Sequence, residues 1–222
     1  MRVEQKQGTK GSLKWIQIAV NAPDVLNHEI LSALNIDEKR SIEWASPLRD
    51  DQYAEYRDQS FIDKLALPPL RIALREFWPR LGPQWDALGR AGDAILLVEA
   101  KANLPEFESP ACAAGDKSMR LIKQSLAETQ KYIGTDPRYE WTQTFYQYAN
   151  RLAHLYFLRV LNDVPAYLLF VDFINATEVN GPATAEEWKT ATMRAEKILG
   201  IKEQHQLSEF IHHIYIDVDV LN

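Results

Sequence analysis

Residues 85–102 read Trp85-Asp86-Ala87-Leu88-Gly89-Arg90-Ala91-Gly92-Asp93-Ala94-Ile95-Leu96-Leu97-Val98-Glu99-Ala100-Lys101-Ala102, and the rest of the chain is organised around them. Gly92-Asp93 is a two-residue hairpin signal, because glycine supplies the positive φ that primed turns require. The second strand, Ala94 to Val98, is wholly apolar, which suits a strand covered on both faces. It runs directly into Glu99, Ala100 and Lys101. Charges at the end of a buried strand must pair, hydrogen-bond or bind an ion.

With Gly92 and Asp93 as the loop, Ala91 faces Ala94, Arg90 faces Ile95 and Asp86 falls opposite Glu99. Opposed residues of an antiparallel pair share a face, with β-carbons about 5 Å apart. Glu99 and Lys101, two apart on one strand, share that face as well. A four-residue loop keeps this arrangement; a three-residue loop without a bulge breaks it. Two carboxylates held so close repel unless positive charge lies between them, and a hard divalent cation with oxygen ligands is the usual solution. The competing reading is a cross-strand cluster in which Lys101 neutralises both acids.

With Asp86 on the first strand and Glu99-Ala100-Lys101 ending the next, the chain resembles the PD-(D/E)XK nuclease superfamily. The resemblance implies an α/β, restriction-endonuclease-like fold, a central mixed β-sheet flanked by helices. It implies Asp86 and Glu99 as ligands of Mg2+ or Mn2+, the Ala100 carbonyl as a further ligand, and Lys101 as the cation that orients or deprotonates the attacking water. Family members also carry a helical glutamate ahead of the strands, for which Glu76 is the candidate. A glutamine or basic residue on the following helix makes Gln147 and Arg151 candidates. The pattern departs at Trp85, where the family places proline. The run Phe145-Tyr146-Gln147-Tyr148-Ala149-Asn150-Arg151 resembles an uncharacterised bacterial branch of the same superfamily.

The implied activity is metal-dependent phosphodiester hydrolysis, with nucleic acid, DNA foremost, as substrate; a homodimer is compatible with it. The alternative is a nuclease fold that no longer cuts and binds nucleic acid or a protein partner. A third reading, a glycosidase-like acid and nucleophile pair at Asp86 and Glu99, is disfavoured because Lys101 holds both carboxylates ionised. The string E-x-K recurs at Glu4-Gln5-Lys6 and Glu187-Trp188-Lys189, and neither copy ends an apolar strand.

The 222 residues fall within the size of one domain, and 46% hydrophobic with 25% charged residues is an ordinary globular composition. A net charge of −6 argues against non-specific coating of DNA but leaves room for a local basic groove. Cys112 is the only cysteine, so no internal disulfide forms and a reducing cytoplasm is the expected setting; a bland thiol is the expected role. The apolar runs are far too short for a membrane span, and the N-terminal stretch lacks the order of a signal peptide.

Along the chain, residues 1–12 are expected to be a loose tail, Leu13 to Val20 a strand, and Asn21 with Pro23 the start of a helix through Leu34. Ser41 to Ala45 reads as a strand, with Glu43 and, beyond it, Glu55 read more readily as solvated surface than as extra site carboxylates. Phe61 to Trp78 is helical with a break at Pro68-Pro69. Asn103 to Gly115 is a loop, either a lid or a connection. Lys117 to Ile133 is an amphipathic helix with Lys117, Arg120, Lys123 and Lys131 outward. Trp141 to Leu161 is a long helix whose polar stripe, Gln147, Asn150, Arg151 and His154, either walls the site or faces water. Ala166 to Ile174 is a central strand in which Asp172 either sees the site or caps a turn. Ala185 to Leu199 is a helix, and Ile211 to Leu221 an edge strand whose neighbouring His212 and His213 point to opposite faces. Trp44, Trp85 and Trp188 are left between bases, partners and core.

Overall fold

The computed structural model describes residues 1–37 and 40–221. In chain order the elements are β1 (Arg2–Val3), α1 (Gly11–Asn21), α2 (Asp24–Ala33), β2 (Ile42–Ser46), β3 (Glu55–Tyr56), α3 (Gln59–Lys64) and α4 (Arg71–Phe77). There follow β4 (Ala87–Ala91), β5 (Ala94–Lys101), α5 (Leu104–Phe107), α6 (Asp116–Ile133), α7 (Tyr146–Tyr156), β6 (Ala166–Ile174), α8 (Ala185–Leu199) and β7 (Ile211–Asp217).

The hairpin forms in the register set by its two-residue turn: Ala91 pairs with Ala94, Arg90 with Ile95 and Ala87 with Val98. Gly92 adopts φ +61°, the backbone state for which glycine was needed. The hairpin sits inside a five-stranded mixed sheet of order β2-β4-β5-β6-β7, antiparallel on the β2 side and parallel from β5 through β7. A mixed α/β architecture with helices on both faces results.

Strand alternation divides the core in two. Leu88, Ile95, Leu97, Leu168 and Phe170 pack on the face covered by α3, α4, α6, α7 and α8. Ala87, Leu96, Val98, Ala100, Leu169 and Val171 pack on the other face, against Trp15, Ile16, Ala19 and Val20 of α1 and Leu26 and Ile30 of α2. The apolar run of β5 is therefore sandwiched, and the even face of β6 and odd face of β5 carry the polar residues toward α7.

Several expectations are corrected. Leu13 to Val20 is helix, not strand: the buried set Trp15, Ile16, Ala19 and Val20 follows helical spacing, which outweighs the β-branched content. The first residues are not a loose tail, because Arg2 and Val3 pair with Tyr56 and Glu55 and the Gly8 N–H donates to Gln17 Oε1 at 2.8 Å. The long helix begins at Tyr146, after Phe145 in left-handed backbone at φ +64°, and its last turn widens into a π-helical turn over Phe157–Leu161. Asn103 to Gly115 includes α5, capped by the Asn103 side chain accepting from the Glu106 N–H. The last strand stops at Asp217 and turns into a 3-10 segment. Trp85 and Trp188 are fully buried core residues, and Trp44 is half-buried. No described helix is long and apolar enough to cross a membrane.

Candidate active site

Beyond the last ladder pair of the hairpin, Asp86 continues β4 to the level of Glu99, and its Oδ2 accepts the Ala100 N–H at 2.7 Å. A strand residue's N–H and C=O point to the same side, so the Ala100 carbonyl is aimed at the same edge. Glu99 is 2% exposed and meets two cations. Lys101 Nζ donates to its Oε1 at 2.5 Å, and Arg151 Nε donates to its Oε2 at 2.6 Å, with Arg151 Nη2 also paired to that oxygen.

α7 supplies the opposite wall. Gln147 and Arg151 stand one turn apart on one helix face. The Gln147 N–H donates to Ser109 Oγ at 2.9 Å, tying the helix start to the loop after β5. Gln147 Oε1 then accepts from Lys101 Nζ at 3.0 Å. Arg151 is further held by the Gln84 carbonyl and Asn150 Oδ1, both at 2.9 Å, and by the Trp85 ring, 4.7 Å from its guanidinium carbon. Tyr148, on the same helix, stacks on Phe170 at 4.6 Å and fixes α7 against the sheet. The polar stripe of α7 thus faces inward. His154, its last member, is not at the site: it lies among Phe61, Phe77, Trp78 and Trp85.

A cavity of about 400 Å3 opens over these groups, lined by Glu55, Asp86, Glu99, Lys101, Gln147 and Arg151 among others. Glu55 corrects the surface reading, being 4% exposed and accepting through Oε2 from Gln5 Nε2 at 2.9 Å and from Gln84 Nε2. β3 places it there, anchored by the bridge from Tyr56 to Trp85, the residue before Asp86. Only an acid lodged between apolar Ala54 and aromatic Tyr56 hinted at this in the sequence. Glu43 is exposed on β2. Glu76 is exposed on α4 and absent from the cavity lining; Leu74 and Phe77 take that helix's buried face, so its carboxylate points to water. Cys112 is half-buried and also lines the cavity, beside Tyr146. Asp172, on β6 in register with Lys101 of β5, is fully buried, and its Oδ2 lies 2.8 Å from His213 Nδ1 rather than capping a turn.

Burial pushes Asp86 well above the usual carboxylate range, and the charge of Glu99 pushes it further. Burial also raises Glu55, against the hydrogen bonds from Gln84 and Gln5. Glu99 is the opposite case: burial opposes its charge, but Arg151 and Lys101 outweigh it and hold the carboxyl low. Burial likewise works against Lys101, and Glu99 and Asp86 overcome it, so the amine stays charged.

Three carboxylates, Glu55, Asp86 and Glu99, and three cations, Arg57, Lys101 and Arg151, therefore line one cavity. Among the described residues Glu55 and Asp86 form no ion pair, and a hard cation with oxygen ligands suits that donor set. The arrangement itself is not that of a loaded site: among the described residues no group of three or more His, Cys, Asp or Glu side chains is placed to hold a metal ion, because Glu99 is turned onto Arg151 and Lys101. Comparison with models of known families, with curated proteins and with solved structures finds no match to this chain.

Proposed function

We propose that the chain is a metal-dependent phosphodiesterase of the nuclease type, with a PD-(D/E)XK arrangement on a restriction-endonuclease-like fold and DNA as its substrate. The observation that carries this reading is the convergence of Asp86, Glu99 and Lys101 on one cavity, joined by Glu55, Gln147 and Arg151. Asp86, Glu99 and the Ala100 carbonyl would hold Mg2+ or Mn2+, with Glu55 taking the place expected of Glu76. When bound, the ion lowers the pKa of its water and stabilises charge at phosphorus.

The chain's own residues supply the rest. Lys101 keeps its proton, which favours orientation and charge stabilisation over proton abstraction; fixed by Glu99 and Gln147, it adds positive charge without reorganisation. Gln147 sets where that ammonium sits. Arg151 balances the third carboxylate and, through Gln84, ties α7 to the segment ahead of Asp86.

A second reading, a fold that binds nucleic acid without cutting it, draws on the saturation of Glu99 by two cations. Incubating a labelled oligonucleotide with the protein in Mg2+, Mn2+ or EDTA separates the two. Cutting that needs a divalent ion and disappears in Lys101→Met supports the nuclease; retention of the oligonucleotide without cutting under every condition supports the binding protein.

A further inference from the structure

A second, larger hollow adjoins the acidic cavity. Its volume is about 950 Å3, at the upper end of the roughly 300–1,000 Å3 of ligand clefts. Gly82 lines both hollows, and its N–H donates to Asp58 Oδ1 at 2.9 Å, so one backbone segment forms the threshold between them. The floor is apolar and aromatic, built from Leu74, Trp78, Leu121 and His154. His154 is neutral there, because burial pulls its pKa down to about 3. The rim carries Arg75, Arg80 and Lys117 against one carboxylate, Asp58. All three cations are exposed, and none is in an ion pair among the described residues. On a chain of net charge −6 this is a local excess of positive charge.

We propose that this groove is the path by which a single strand of DNA reaches the acidic cavity, its phosphates on Arg75, Arg80 and Lys117 and its bases turned to the floor. The inference rests on the nuclease reading of the neighbouring cavity. An intact duplex keeps its bases stacked inside, so an apolar floor beneath a cationic rim would meet nothing suited to it; a single strand offers phosphates and open base faces together. Leu81 stands at the threshold, 69% exposed, with φ +67°. A base can pack on this side chain as the strand passes into the cavity.

The test is fluorescence anisotropy with a labelled oligo-dT of about 12 nucleotides and with a duplex of equal length, in EDTA so that no cutting intervenes. The variant Arg75→Ala/Arg80→Ala/Lys117→Ala alters exposed side chains only, and circular dichroism confirms its fold. The expected result is tighter binding of the single strand than of the duplex and about a tenfold or greater loss in the variant. The slope of log affinity against log salt falls by about 2, three phosphates at roughly 0.7 each. Undiminished binding by the variant, an unchanged slope or a preference for duplex overturns the groove. A parent that cuts while the triple variant binds as well as it does removes the groove and leaves the nuclease. A parent that never cuts, with binding lost in the variant, removes the nuclease and leaves the groove.

Discussion

Arg151 Nε lies 2.6 Å from Glu99 Oε2, joining a strand to a helix that follows it by 52 residues of sequence, and both side chains are buried. A buried pair contributes little beyond a packed apolar pair, but breaking it strands a charge. Glu99→Ala, which takes the carboxylate from both Arg151 and Lys101, costs about 3–5 kcal/mol, and Arg151→Ala costs less because Lys101 still pairs with Glu99. The double variant costs less than the two together by about 1–3 kcal/mol, because it leaves one buried charge fewer without a partner. Urea denaturation of the four proteins measures this. Lys101→Met leaves Glu99 paired with Arg151, so it is the cleaner variant for separating activity from stability.

Asp86 gives a stability signature with the opposite sense from most carboxylates. In the metal-free protein its folded pKa is raised, so above about 3.9, the ordinary aspartate value, the folded state holds a proton that the unfolded chain has lost. Stability therefore falls as pH rises from that value through the raised pKa. Asp86→Asn removes the effect while keeping an oxygen for the Ala100 N–H, and raises Tm at pH 8 by about 2–4 °C for each kcal/mol recovered. Thermal melts of parent and variant in unit steps between about pH 5 and about pH 8 read the divergence.

His154 acts in the ordinary direction. Its pKa falls from 6.5 to about 3 on burial, so the unfolded chain takes up a proton that the folded one refuses. The stability it contributes is complete above pH 6.5 and declines below it, by about 2 kcal/mol at pH 5. His154→Leu keeps the apolar volume beside Trp78 and Phe77 and flattens the decline. Chemical denaturation at the two pH values checks it.

The hairpin register and the shared face of Asp86, Glu99 and Lys101 were legible because a two-residue turn leaves no freedom in pairing and strand alternation does the rest. Gln147 and Arg151 were candidates through the resemblance; helical spacing put them on one stripe but left open whether it met the site or water, which the packing of α7 on the sheet decides. Glu55 was not legible, since β3 is two residues long and its place depends on the distant contact of Tyr56 with Trp85. Glu76 failed for a related reason: helical position alone does not say which face a neighbouring Phe77 and Leu74 will take. The helix α1 was hidden by isoleucines and a valine in alternation, a pattern that both periods can accommodate over eight residues.

Gly181 supports the site from behind. A β-carbon there would stand 2.3 Å from the Ala102 carbonyl oxygen, one residue past Lys101, with Ala176 atoms at 3.1 Å. Backbone must move to admit it, so Gly181→Ala destabilises by about 1–3 kcal/mol. Because the displaced strand end carries Lys101, the proposed cleavage falls by more than the loss of folded protein explains. Activity per folded molecule, with the folded fraction from circular dichroism, separates the two losses.

The central claim is that Asp86, Glu99 and Glu55 share a divalent cation, and diffraction from crystals soaked in Mn2+ tests it most directly. The account predicts an anomalous peak between Asp86 and Glu99, near the Ala100 carbonyl, with at least one of Arg151 and Lys101 drawn away from Glu99. A cavity without such a peak, with both cations still seated on Glu99, contradicts it.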